Sequence, residues 1–522
     1  MARSKYKPLS FSTTMRNPER IASFLKCVSK YENKVLTNDI IMEVVREVIR
    51  KKLYKPTYVS KVAKYKNIYD NPEATFSNKD LDDIIKNSPQ QHKEAGFDAG
   101  WPSRFDTWYK LSMEFGFIYY AIDEKIVVSD IGKMLIEAID QENVDDQKIQ
   151  NVFLNSMMKY QIKNPFRKNL NDNVPLLLLL QVIEKLKKDD DKSAGIFRQE
   201  LSFFICWPNN DANSLYSYIK DFRKKYKFSE YTDEIIYDAC LEILGADVSD
   251  RNYFKMDKIT GEAIDEYIRK MRITGIVSLR GNGGFLDFNT FEMDKINYVL
   301  KHYSSYTLFT DKKAYFDYIG KPDDKVLEIK RTVTKTGEDE IRKATLHKYA
   351  TQYKKEEIFD ELQKVCNKKE SSDKMLRIIA APARFEFLMS IALVQNFEGL
   401  DVCPNYIIDD EGLPTSHAGG NMADIVCKEN EDTEALVEVT LMCGRQQVNN
   451  EMLSIERHLN DTKTTYPDAF AIFVAPAIHP DAKRYTQFVE FKDNNIIKAF
   501  GIDDFITNID TNTKITDLVT CA

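Results

Sequence analysis

Apolar residues recur mostly at helical spacing through the first three hundred positions, and towards the end of the chain apolar runs alternate with helical stretches. "NPERIASFLKCVSKY" offers an Asn cap, a Pro in the first turn and an apolar helical face. "NDIIMEVVREVIRKKLY" repeats that pattern and closes on a basic cluster. Further along, the spacing predicts a helix over Ser103–Phe115, a strand Phe117–Ala121, a tight turn at Asp123–Glu124 and a strand Ile126–Val128. Asp130 then caps a helix that contains "IGKMLIEAI". A second stretch repeats the plan: a helix from about Thr260, the strand "GIVSLR", a Gly-Asn-Gly-Gly turn and the strand "GFLDF".

Helix, two-stranded wing and helix form the layout of a winged helix, in which one helix can lie in a DNA major groove while the wing touches the backbone. Winged helices also serve as protein-protein modules, so the layout alone leaves both uses open. Between the two units lie helical segments such as "VPLLLLLQVIEKLKK". Residues 303–372 read as a charged helical linker that ends in the boundary run at 368–374. Beyond it, "MLRIIAAPARFEFLMSIALVQNF" is a helix with a wide apolar face. "ALVEVTLM" is unbroken and apolar, as a buried central strand is. Strands alternating with helices over residues 373–522 predict an α/β core.

The expected fold class is therefore multidomain α+β. Residues 1–140 and 141–302 form two recognition subdomains, each with a winged helix, followed by the linker and an α/β domain over 373–522. A length of 522 residues fits three or four units. No apolar run reaches the ~18 residues of a membrane span, and the N-terminus lacks an apolar signal core. Eight scattered cysteines without a Cys-x-x-Cys argue against a structural zinc site and a disulfide framework, which points to a reducing, cytoplasmic compartment.

Charge adds an asymmetry to this picture. Residues 1–70 hold 16 basic and 6 acidic side chains, whereas residues 301–522 hold 28 basic and 37 acidic ones. A polyanion is drawn to the first end, and the acidic end needs cations to approach one. A solvated basic surface gives the same count. Candidate DNA contacts are Arg16 and Arg20 in the basic arm, Arg104 and Lys110 near the first wing, and Arg269 and Arg272 near the second.

Candidate chemistry centres on Asp424 and, fourteen positions later, Glu438 inside "LVEVTL". Two carboxylates on neighbouring strands, with the backbone carbonyl of Val439, can supply the oxygen ligands that Mg²⁺ prefers. A buried salt-bridged glutamate is the competing reading of Glu438. Many nucleases of the PD-(D/E)xK type place a lysine two residues after the second acid, and here that residue is Thr440. Glu386 is an acid on an apolar helix face. Glu451 and His458 are seven apart and share a helix face. A histidine there can take a proton from water or settle a phosphate, although surface exposure explains it equally well.

The stretch from "IIDDEGLPTSHAGGNMADIVCKEN" to "NNEMLSIERHL" resembles the catalytic core of the AlwI-type Type IIS restriction endonucleases and the related GAGTC-group nicking enzymes. The resemblance rests on Pro414, His417, Ala418, Gly420, Asn421 and Asp424, then Glu438-Val439-Thr440, then Glu451 and His458, with Phe385-Glu386 on the preceding helix. "SFSTTMRNPERI" and the Gly-Phe-Ile wing followed by "IGKML" extend it over most of the chain.

It implies a winged-helix recognition module joined through a linker to a PD-(D/E)xK domain that cuts double-stranded DNA a few bases outside a short asymmetric site. Asp424, Glu438 and the Val439 carbonyl correspond to Mg²⁺ ligands, and Glu386, Glu451 and His458 to supporting catalytic residues. Thr440 is that family's own pattern. A cleavage-domain homodimer or a small second subunit is the implied partner for cutting both strands. The alternatives are a nicking enzyme, acting as the large subunit of a heterodimer, and a DNA-binding regulator with an inert nuclease fold.

Overall fold

The computed structural model describes residues 6–11, 18, 20–71, 73–140, 145–167, 170–246, 248–419, 422–431 and 433–520. They gather into two compact units. The first comprises Met1–Lys66, Phe76–Ile139 and Gln147–Thr332, and the second Asn67–Thr75, Asp140–Asp146 and Val333–Ala522. Both mix helices with small sheets, which makes the protein a multidomain α+β chain. Among the described residues no helix is long and apolar enough to cross a membrane.

The first unit is mainly helical, and its helix starts carry the caps that the sequence offers. Thr37 accepts from the amide of Ile40 at the start of Asn38–Arg50, and Ser77 and Asp80 form a reciprocal capping box. The helix Trp101–Glu114 buries Phe105, Trp108 and Tyr109 against Phe24. Strands β1 (Ile118–Tyr119) and β2 (Val127–Val128) follow, paired antiparallel with Ile118 opposite Val128. Asp123 takes the left-handed conformation in their turn, and a helix runs over Asp130–Asp140.

Later in the unit β3 (Ile196–Phe197), β4 (Val277–Arg280) and β5 (Phe285–Phe288) form a sheet in the order β3-β5-β4. Gly281, Asn282 and Gly283 supply the positive φ angles of its hairpin. Asp287, buried on β5, is paired by Arg280 at 2.6 Å and Lys187 at 2.8 Å. A charge taken out of water needs such partners.

The stretch expected to be a linker is helical and is shared between the units. Helix Lys312–Gly320 packs against β1, and a side chain at Gly116 would sit 2.4 Å from Ile319 and 2.8 Å from the Gly320 backbone nitrogen. Helices Lys335–Gln352 and Lys355–Cys366 belong to the second unit, where both pack on the helix Ala381–Asn396. That helix is buried through almost every turn.

The core of the second unit is a five-stranded sheet. Its strands are β6 (Asp401–Pro404), β9 (Ile425–Lys428), β10 (Glu434–Val439), β11 (Phe470–Ala475) and β12 (Ile497–Gly501). A small hairpin of β7 (Ile407–Ile408) and β8 (Pro414–Ser416) lies apart from it. The order is β12-β11-β10-β9-β6, with β10, β11 and β12 parallel and β9 antiparallel to both of its neighbours. β11 is buried at every position, as its apolar run predicts. One face of the sheet closes on Met452, on Ile455 and Leu459 from the helix Leu453–Lys463, and on Ala482 and Val489 from the helix Pro480–Asp493.

Candidate active site

Strand pairing brings the two acids of the β9–β10 hairpin together. Val437 lies opposite Ile425 in that antiparallel ladder, so one further step sets Glu438 against Asp424. The Asp424 amide donates to Oε2 of Glu438 at 3.3 Å, and the Val439 amide donates to Oδ2 of Asp424 at 2.8 Å. Alternation along β10 puts Glu438 on the face of Leu436, beneath the helix Leu453–Lys463. From that helix, Nδ1 of His458 meets Oε1 of Glu438 at 2.9 Å.

Three more side chains complete the cluster. Thr440, just past β10, lies near the Glu451 carboxylate and favours its charged form. Glu386 is buried on its helix and accepts from the Ala418 amide at 3.0 Å. His417 lies with Nε2 at 3.1 Å from Oδ2 of Asp146, and its Nδ1 is 2.9 Å from the carbonyl oxygen of Ala418.

The electrostatics are those of crowded carboxylates. Burial pushes the Asp424 carboxyl well up, and Glu386, Glu438 and Glu451 push it further, against the Val439 amide. Burial lifts Glu386 to about 8, with Asp146 and Glu438 adding to the effect and His417 and the Ala418 amide opposing it. Glu451 is raised by burial and by Glu438, with the Thr440 hydroxyl opposing. Burial works against a charge on His417, but Asp146 and Glu386 outweigh it and its pKa is raised.

A donor set of oxygen ligands with surplus negative charge fits a hard divalent cation. Among the described residues no three His, Cys, Asp or Glu side chains form a ready metal cage. The fit therefore rests on the Asp424–Glu438 pair with a backbone carbonyl.

The sequence pattern that defines the AlwI restriction endonuclease family matches residues 113–322 and 319–497. The chain belongs to the AlwI restriction endonuclease family. As a member it is a restriction endonuclease, a hydrolase that acts on DNA. Among solved structures the chain is similar to the small subunit (R.BspD6I2) of the heterodimeric restriction endonuclease R.BspD6I, at 24% identity. That match covers 30% of this chain and 76% of the other, with a TM-score of 0.25. It is also similar to restriction endonuclease FokI, at 10% identity over 97% of this chain and 95% of that one, with a TM-score of 0.24. For FokI bound to DNA the identity is 11%, the coverage 98% and 96%, and the TM-score 0.25. None of the curated proteins compared matches the chain.

In this AlwI-family chain, the residues expected to touch DNA sit in varied settings. Arg16 lies outside the described residues, as do Gly420 and Asn421 of the motif. Arg20 is exposed, with its guanidinium over the Phe24 ring. Arg104 is half-buried, donating to Gln90 at 2.9 Å and lying over the Tyr54 ring. Lys110 is 3.5 Å from Glu94. Arg272 is buried and Arg269 half-buried, and both have partners within the chain.

Two residues near the family's acids carry more than the sequence revealed. His417 stood in the motif without a role, and its contact with Asp146 is visible only in space. Gln447 is fully buried, whereas its neighbour Gln446 is exposed. An amide flanked by another amide gives no sign of which one turns inward.

Proposed function

We propose that the protein is a Type IIS restriction endonuclease of the PD-(D/E)xK type. It binds a short asymmetric double-stranded site through the first unit and hydrolyses phosphodiester bonds a few bases outside it through the second. The observation that carries this reading is the facing pair Asp424 and Glu438 with His458 bonded to Glu438. The two helix-hairpin-helix segments around β1–β2 and β4–β5 act as winged helices, one helix of each reaching the major groove.

Asp424, Glu438 and the Val439 carbonyl would hold Mg²⁺. A Mg²⁺ ion bound there supplies Lewis acidity to water and to the phosphorus oxygens. His458 keeps Nδ1–H on Glu438 and offers Nε2 to a proton of the attacking water. Glu451 and Glu386 orient water around the pair. The charge that a lysine carries elsewhere comes from His417, whose cationic form Asp146 and Glu386 favour.

One such cluster per chain cuts one strand at a time. A homodimer of cleavage units, or a small second subunit, then completes the double-strand break. A nicking enzyme is the second reading, favoured by this same single cluster.

Supercoiled plasmid incubated with Mg²⁺ tests both readings. Linear product supports the two-strand enzyme and persistent open circles the nicking one. No cutting by the wild type points to a DNA-binding regulator. Asp424→Ala abolishes cutting with DNA affinity kept; an Asp424→Ala protein that cuts normally removes the site assignment. Run-off sequencing of cleaved random DNA gives the recognition site and the offset.

A further inference from the structure

Gln447 is the most constrained polar side chain beside the site. Its side chain is fully buried and uses both amide donors and its oxygen. Nε2 donates to the carbonyls of Met442 at 3.0 Å and Ala477 at 2.8 Å, and Oε1 accepts from the His479 amide at 2.9 Å. Met442 lies in the loop leaving β10, and Ala477 and His479 lie in the loop leaving β11. One amide thus ties together the loops at the carboxyl ends of two adjacent parallel strands, the edge on which Glu438 and Thr440 sit.

The backbone next to it is unusual as well. Gln447 immediately precedes a π-helical turn, Val448–Met452, that runs directly into the helix Leu453–Lys463. Such turns are rare, and they re-aim the side chains they carry, often at functional sites. Glu451 sits within this turn, close enough to Thr440 and Glu438 for both to act on its charge. A wider turn needs an anchor at its start, because its geometry is less favourable than that of an α-helix.

We propose that Gln447 is a positioning residue for the nuclease reaction, holding the π-turn against the two loops so that Glu451 reaches Thr440 and the acid pair. The inference rests on the reading of Asp424–Glu438 as the reaction centre. Only an amide offers two donors and an acceptor in this shape. A carboxylate at 447 faces two carbonyl oxygens with no proton to give, and an apolar side chain leaves two carbonyls and one N–H unsatisfied.

The test is a double-mutant cycle on the full chain with Mg²⁺, reading single-turnover cleavage rate and DNA affinity for Gln447→Met, Glu451→Ala and the pair. Gln447→Met is expected to slow cleavage about 10- to 100-fold, the effect of a small misplacement, with affinity changed less than about twofold. The double variant is expected to be no slower than Glu451→Ala alone, because both act through one group. A Gln447→Met enzyme at wild-type rate overturns the proposal. So does a Glu451→Ala enzyme at wild-type rate, or a double variant slowed by the product of the two single effects. If Gln447→Met fails to fold by circular dichroism, Gln447→Glu, near-isosteric and without the amide donors, takes its place in the same cycle. Asp424→Ala runs alongside: if it still cuts, the site reading fails, whereas a dead Asp424→Ala with unaffected Gln447 variants defeats only this inference.

Discussion

His458 lies 2.9 Å from Glu438 through Nδ1, and its Nε2 is buried with no hydrogen-bond partner among the described residues. A carboxylate only accepts, so the bond places the proton of neutral imidazole on Nδ1 and leaves Nε2 a bare acceptor. That is the tautomer a general base needs. His458→Ala is therefore expected to lower the cleavage rate about 100-fold, with DNA affinity unchanged. Rapid-quench cleavage of a labelled duplex measures the rate. Loss of affinity in step with rate contradicts the assignment.

Glu438, on β10, meets both the Asp424 amide and His458. Glu438→Gln keeps the shape and the acceptor oxygen towards His458 but removes the charge. Its cleavage rate is expected to fall by about 100-fold or more, the scale of losing a metal ligand. Glu438→Asp, which keeps the charge and shortens the reach, is expected to fall between the two. Rates of Glu438→Gln and Glu438→Asp that match wild type at saturating Mg²⁺ argue for the buried salt-bridge reading instead.

Glu386 makes stability depend on pH in a metal-free buffer. Its folded carboxyl, at about 8, stands well above the ordinary glutamate value of 4.5. The folded state therefore holds a proton that the unfolded chain has released. This contribution is fully present below pH 4.5, is lost progressively as pH rises and is gone above pH 8. Thermal unfolding in EDTA is expected to show a falling midpoint from pH 5 to pH 8, and Glu386→Gln to flatten it, by about 1–3 kcal/mol across the window. An unchanged slope in Glu386→Gln assigns the dependence to other groups.

Gly116 has φ +77°, and a side chain there would meet Ile319 at 2.4 Å. Gly116→Ala strains both the turn before β1 and its packing on the helix Lys312–Gly320. A destabilisation of about 1–3 kcal/mol is expected, read as a lower unfolding midpoint with cleavage retained at low temperature. A variant as stable as wild type shows that this contact is soft.

Much of the second unit was legible because burial on two faces leaves a simple signature. "AFAIFVAP" is apolar throughout and "ALVEV" apolar but for Glu438, and they form β11 and β10. The hairpin at 281–284 was equally plain, since its positive φ angles call for glycine and asparagine. The short strands β3, β6, β7 and β8 were not legible. Two to four residues carry no period, and their partners are distant in sequence.

Among the basic residues expected near DNA, burial was hard to foresee for a related reason. Arg272 ends a helix with a polar pattern, yet it is buried, because a long stem can lie along apolar surface within the unit. Asp424 and Glu438 stood out as acids in apolar runs. Gln447 did not, because a buried amide satisfied by backbone groups has no marker in composition.

The ladder between β9 and β10 also bears on how enzymes of this kind can diverge. Each acid sits at the far end of its own strand, and the chain between them runs up one strand, around the tip at 429–433 and down the other. Residues at the tip change without moving either acid. One residue added within Ile425–Lys428 or Glu434–Val437 turns the acid beyond it to the opposite face of the sheet. Descendants that lengthen this hairpin must therefore do so at its tip or by equal additions on both strands. The fourteen-residue spacing between Asp424 and Glu438 thus records the length of the two strands and the loop that joins them.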